Sequence, residues 1–187
     1  MARKKTGRSG CKEKQAMFTT LLIVGEGQDD QAVIKHMNQQ FKNESAGIKP
    51  SIEKQSGGSP GNIITNAARK YKDSAHDRRY IVLDSDVAIP QQDHDKAKKS
   101  GYAIILWKPT SLEGALLDAL QERVLPYETS QRLKARLHPR LDGKPDDPRS
   151  YQTLFPKPVL EKSRNDSVNR VRNVLEGREP NDDGENG

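Results

Sequence analysis

The sequence has one cysteine, Cys11, in 187 residues. An internal disulfide and a cysteine-cluster zinc site are therefore excluded, which fits a cytoplasmic, reducing environment. Aromatic residues are scarce, with one Trp, five Tyr and three Phe, and this argues against extensive stacking of nucleobases on exposed rings. Long apolar runs are lacking too. Phe18 to Val24 is the longest nearly unbroken one, far short of the ~20 residues a membrane-crossing helix needs, and the N-terminus has no apolar secretion segment. A membrane or exported protein is not expected. At 32% hydrophobic residues the chain can build one core with appendages rather than two cores.

Charge is present in quantity and unevenly placed. Residues 1–14 carry six basic groups and one acid, 15–120 are neutral, 121–177 are net +4, and the tail from Arg178 is net −3, within an overall +6. A neutral middle between basic ends is the distribution expected when the ends hold a polyanion and the middle does something else. Solvated surface is the plainer explanation of the same numbers.

The pattern divides the chain into a disordered basic arm (1–15), an α/β domain (16–125), a basic, mostly helical C-terminal extension (126–177) and an acidic disordered tail (178–187). Phe18–Val24, Ile48–Lys54, Arg79–Leu83 and Tyr102–Trp107 are expected strands. Helical patterns separate them: the stripe Val33, Ile34, Met37, Phe41, then Asn62–Tyr71 after the turn-rich Gly57–Gly61, then Gln91–Ser100. A further helix follows at Leu112–Leu120. Strands alternating with helices imply a Rossmann-like parallel sheet of about four strands joined by right-handed crossovers. Beyond Pro126 the alternation stops. Thr129–Leu137 and Ser167–Leu175 are helical candidates, while Pro139–Pro158 shows no clear period.

In an open parallel sheet, ligands collect outside the carboxyl ends of the strands. Acidic residues of this chain fall there repeatedly. Glu26 follows the first strand with Asp29 and Asp30 opening the next helix, Asp84 and Asp86 follow the third, and Glu113 begins the helix after the fourth. Like charges gathered on one edge raise one another's pKa, and a divalent cation is the natural compensation. Two residues apart in extended geometry, Asp84 and Asp86 point to the same side. Each acid also has an ordinary structural role open to it: Asp29 or Asp30 as helix caps, Thr110-Ser-Leu-Glu113 as a capping box, and Asp84, Asp86 and Gly25-Glu-Gly27 as turn residues.

The order Val24-Gly-Glu-Gly-Gln-Asp-Asp30, then Asp84-Ser-Asp86, then Ser111-Leu-Glu-Gly-Ala-Leu116 resembles the TOPRIM domain of topoisomerases, primases and several nucleases, and is most similar to its OLD-type and RloB-type branches. The resemblance spans roughly Thr19–Leu120. It implies Glu26, Asp30, Asp84, Asp86 and Glu113 as ligands of Mg²⁺ or Mn²⁺, with Asp29 able to stand in for Asp30. Glu26, Asp84 and Asp86 would be catalytic, and Lys108, Arg78 or Arg132 would stabilise the transition state. The implied activity is metal-dependent hydrolysis of nucleic acid, DNA ahead of RNA, in anti-phage defence or on mobile elements. No Gly-x-x-x-x-Gly-Lys-Ser/Thr occurs, so an ATPase, where needed, would be a separate partner. The cluster Arg132, Lys134, Arg136, Arg140 is the candidate phosphate-binding face.

Three rival readings share parts of this pattern. A receiver domain has an acidic pair directly after its first strand, where this chain has Gly25-Glu-Gly-Gln; a haloacid-dehalogenase phosphatase needs its Asp-x-Asp after the first strand rather than the third. The serious rival is a non-catalytic module that binds nucleic acid or a partner through its basic ends. RNA processing is a further alternative, since phosphate contacts do not report the sugar.

Overall fold

A computed structural model describes residues 18–42 and 47–180. The basic arm of residues 1–15, Cys11 and the tail beyond 180 lie outside the described residues. Four strands, β1 (Thr19–Gly25), β2 (Ile48–Lys54), β3 (Arg78–Asp84) and β4 (Tyr102–Trp107), form one sheet in the order β2-β1-β3-β4. Every pairing is parallel, so the α/β class expected from the strand–helix alternation holds.

The central strands are buried on both sides because their side chains alternate between two apolar layers. Leu21, Ile23, Tyr80, Val82, Ile105 and Trp107 point into one, and Leu22, Val24, Ile81 and Leu83 into the other. Helices α2 (Pro60–Lys70) and α3 (Gln91–Lys99) cover the second layer through Ile63, Ile64, Ala67 and Ala97. Helix α2 starts earlier than the pattern predicts: Ser59 accepts a hydrogen bond from Asn62 N–H and Pro60 occupies the first turn. Proline there loses no intrahelical bond and arrives with helical φ. Gly61 is thus helical rather than loop.

The first layer is closed by α1 (Gln28–Phe41), α4 (Leu112–Ala119), α5 (Ser130–Leu137), α6 (Lys157–Lys162) and α7 (Asp166–Leu175). Its composition corrects the expectation that residues 126–177 are an appendage. Leu133, Leu137, Tyr151, Phe155, Leu160, Val168, Val171, Val174 and Leu175 belong to the same buried cluster as Leu21, Tyr80 and Trp107. His36 of α1 meets the Phe155 carbonyl through Nε2 at 2.8 Å. The segment Pro139–Pro158, aperiodic in sequence, is held by two 3₁₀ turns, His138–Arg140 and Pro148–Tyr151. Short 3₁₀ pieces have no apolar period of their own to detect. Removing the C-terminal third would strip one face of the sheet.

This strand order also fixes where a site can form. From β1 the chain crosses to β2 on one side and returns to β3 on the other, so the connections diverge between the carboxyl ends of β1 and β3. That divergence opens the crevice in which doubly wound sheets bind ligands.

Candidate metal centre

Glu26 and Asp84 meet in that crevice. Glu26 Oε2 accepts the Asp84 N–H at 3.1 Å, tying the exit of β1 to the last residue of β3. Helix α1 starts immediately, and Gly25 lets it: a Cβ on Gly25 would stand 2.7 Å from Asp30 Cβ. Asp30, 7% exposed, is held at both oxygens, Oδ2 by Gly27 N–H at 3.1 Å and Oδ1 by the Trp107 indole N–H at 2.8 Å. The capping role open to Asp30 is therefore realised, and the single tryptophan, paired with Asp84 across the β3–β4 register, orients it.

The α4 side arrives through a tight loop. The Lys108–Pro109 peptide is cis and Thr110 has φ of 66°, after which Ser111 caps α4. Leu112 N–H donates to Asp84 Oδ1 at 2.9 Å, so the helix N-terminus favours negative charge at Asp84. Glu113 does not complete a box with Thr110. At 2% exposure it takes the Ser111 hydroxyl on Oε2 at 3.0 Å and lies 3.3 Å through Oε1 from His138 Nε2.

The carboxylates sense one another. Burial pushes Asp84 up to about 8, aided by the charge of Asp30 and, more weakly, of Glu26 and Glu113, with the Leu112 N–H opposing. Burial likewise lifts Asp30 to about 7; the Trp107 hydrogen bond opposes it, and Glu26 and Glu113 add to it. Glu26 is raised by burial first, against its Asp84 hydrogen bond, and then by Asp86, with Lys134 pulling the other way. Oxygen donors of this density, crowded enough to resist joint ionisation, fit a hard divalent cation that removes the repulsion.

A pH dependence follows. Both Asp residues have an ordinary value of 3.8 and a raised folded one, so the folded chain keeps protons that the unfolded chain has lost. Their contribution to stability is full below about pH 4, declines as pH rises, and is gone above about pH 8. In EDTA the midpoint of thermal unfolding should fall between pH 5.5 and 8.5 from this source, with Asp84→Asn flattening the slope. Mg²⁺ should raise the midpoint at pH 8.5 far more than at pH 5.5, because ligation needs the deprotonated acids. Equal effects at both pH values would contradict the coupling.

The remaining expected residues are distributed unevenly. Asp86 is exposed in the bend after β3, accepts from Ser130 Oγ at 2.9 Å and still acts on Glu26. Asp29 comes within 4.8 Å of ligand atoms of Glu113 and His138. His138 was not foreseen; in a His-Pro-Arg stretch far from any strand end, no local signal marks it. Arg78 is corrected as a transition-state candidate: it opens β3, about 20 Å from the Asp84 end by strand rise, and binds Gly177 O and Glu179 there.

Of the basic face, Arg132 and Lys134 are exposed. Arg136 is committed to Glu128 at 2.7 and 2.8 Å and to Glu122 at 3.3 Å, and Arg140 to Glu122 at 2.5 Å. The i, i+4 pairing with Arg132 therefore does not give two uncompensated charges. A cleft of about 800 Å³ runs beside the carboxylates, with Asp86, Ser130, Lys134 and His138 in its wall. A second of about 460 Å³ lies between Asp86, Thr110 and the exposed Tyr127.

No family model and no curated protein sequence matches the chain. Among solved structures it is similar to the C-terminal regions of two OLD proteins. The region from Xanthomonas campestris pv. campestris aligns over 84% of this chain and 94% of its own, at 13% identity and a TM-score of 0.40. That from Burkholderia pseudomallei aligns over 85% and 100%, at 11% identity and a TM-score of 0.38. Among the described residues no helix is long and apolar enough to cross a membrane.

Proposed function

We propose that the protein is a divalent-metal-dependent nuclease that hydrolyses phosphodiester bonds, with DNA its preferred polymer. The observation that carries this reading is the convergence of Glu26, Asp30, Asp84 and Glu113 on one crevice, where Glu26 Oε2 takes the Asp84 N–H and the charges of Glu26 and Glu113 bear on both Asp30 and Asp84. The order of the acidic motifs along the chain, which resembles TOPRIM nucleases, supports it independently. So does the position of the exposed Lys134 on the wall of the adjoining cleft, where a polyanion would run.

Glu26, Asp84 and Asp86 would hold one cation, and Glu113 with Asp29 or Asp30 a second. The bound cations supply Lewis-acid stabilisation of charge on the attacked phosphate and a more acidic water. The chain's own groups do the rest. Glu26, with Oε2 fixed by Asp84 N–H and its pKa raised mainly by burial, is placed to pass a proton to a leaving oxygen. Lys134, whose charge already reaches Glu26, neutralises the phosphate as it enters. Arg132, exposed on another side of the same helix, would meet flanking phosphates.

The basic arm of residues 1–15 and the basic third 126–177 would hold the polymer by charge, with little sequence preference. A role in defence against phage, with a separate ATPase, belongs to the same proposal and rests on the motif resemblance.

Purified protein incubated with supercoiled plasmid, single-stranded DNA and RNA, each with Mg²⁺, Mn²⁺ or EDTA, tests the proposal. Cleavage that requires metal and favours DNA is expected. Salt-sensitive binding with no cleavage under any condition would instead establish the non-catalytic binding module.

A further inference from the structure

The sequence assembles its metal ligands from carboxylates alone, and the fold adds a nitrogen. His138 comes from the 3₁₀ turn after α5, Glu113 from α4 and Asp29 from the first turn of α1. A ligand atom of each lies within 4.8 Å of the other two. His138 Nε2 and Glu113 Oε1 are 3.3 Å apart, close to the roughly 3.0 Å between neighbouring donors of an octahedral cation with bonds of about 2.1 Å.

Glu113 is prepared for that role. At 2% exposure its carboxylate is largely shielded from bulk water, and the Ser111 hydroxyl occupies Oε2, leaving Oε1 presented to the imidazole. His138 keeps 26% of its side chain exposed on the wall of the 800 Å³ cleft. A cation thus has a path in and room for the waters that complete its shell.

We propose that His138 is a direct ligand of a divalent cation shared with Glu113 and Asp29, and that this nitrogen makes the centre prefer Mn²⁺ to Mg²⁺. Mg²⁺ is served best by oxygen donors, whereas first-row transition ions gain from imidazole. Ligation needs the neutral tautomer with its proton on Nδ1, so that the Nε2 lone pair faces the cation. The inference rests on the metal-centre reading and is independent of which polymer is cut, or whether any is.

The test is Mn²⁺ added to EDTA-treated full-length protein, followed by electron paramagnetic resonance with electron-spin-echo detection of nitrogen bonded to the ion. A ¹⁴N coupling is expected in the wild type and should vanish in His138→Gln, with Mn²⁺ affinity falling at least about tenfold and Mg²⁺ affinity little changed. Asp29→Asn should weaken both ions and retain the ¹⁴N signal, so the assignment does not depend on how well the histidine variant folds. Bound Mn²⁺ without ¹⁴N coupling, a coupling that survives His138→Gln, or no Mn²⁺ binding overturns the proposal. Absence of cleavage with the coupling intact would count against the nuclease reading alone.

Discussion

Asp84→Asn is expected to reduce metal-dependent cleavage by about three orders of magnitude, equivalent to ~4 kcal/mol of lost transition-state stabilisation. The substitution is nearly isosteric. The amide oxygen still accepts from Leu112 N–H, which holds Asp84 Oδ1 at 2.9 Å, and the residue's own N–H still donates to Glu26. What disappears is one negative charge at the point where Asp30, Glu26 and Glu113 all act. The same change should raise metal-free stability at pH 8.5, because a neutral group relieves the repulsion. Activity and stability therefore move in opposite directions, as expected of a residue held for function rather than folding. Cleavage assays beside thermal melts in EDTA read both. Retained cleavage would remove Asp84 from the centre; lost cleavage with lost stability would mark a structural role.

Gly114→Ala is expected to destabilise the fold by about 3 kcal/mol or more, beyond the usual cost of overpacking because the obstruction is backbone. A Cβ at Gly114 would sit 2.0 Å from the Pro109 carbonyl oxygen and 3.3 Å from Leu133 Cδ1. The oxygen cannot turn aside like a side-chain end: it accepts Ser111 N–H at 2.8 Å within the turn that starts α4. Relief therefore requires α4 to back away from the loop, taking Glu113 and the Leu112 N–H with it. Urea unfolding should show the loss, and Mg²⁺ should recover less stability than in the wild type. A change under about 1 kcal/mol would mean that the loop yields easily and does not position the centre.

These two residues show different degrees of legibility. Asp84 stands out in the sequence because a β-rich run ends in Asp-Ser-Asp, and strand ends are where parallel sheets place chemistry. Gly114 reads as an unremarked glycine in an apolar helix; its necessity arises from a carbonyl five residues earlier that only the folded loop brings under it. Glu113 lies between the two. Its position at a helix start was legible, but Thr110-Ser-Leu-Glu113 is equally a capping pattern, and only the observed partners, the Ser111 hydroxyl and His138, separate the two roles.

The basic face divides for a related reason. Arg132 and Arg136 have the spacing of one helical face, and spacing alone treats them as equals. In the fold Arg136 turns to Glu128 and Glu122 while Arg132 remains exposed, and both acids precede α5 in a stretch without periodicity. Ion pairs across irregular backbone leave no pattern in the sequence.

The sequence by itself determined the parallel α/β class, the four strands within a residue or so at each end, and the arrival of acidic residues at three strand ends. Each of these is local: a short β-rich apolar run bounded by turn residues marks a strand, and the residue after it is at the sheet's edge by construction. Only the tertiary structure decided the strand order that opens the crevice between β1 and β3. It also joined residues 126–177 to the main core, brought Asp29 within reach of Glu113, and delivered His138. Those outcomes depend on contacts between segments up to more than a hundred residues apart, such as His36 with Phe155, where packing and not local preference selects the partner.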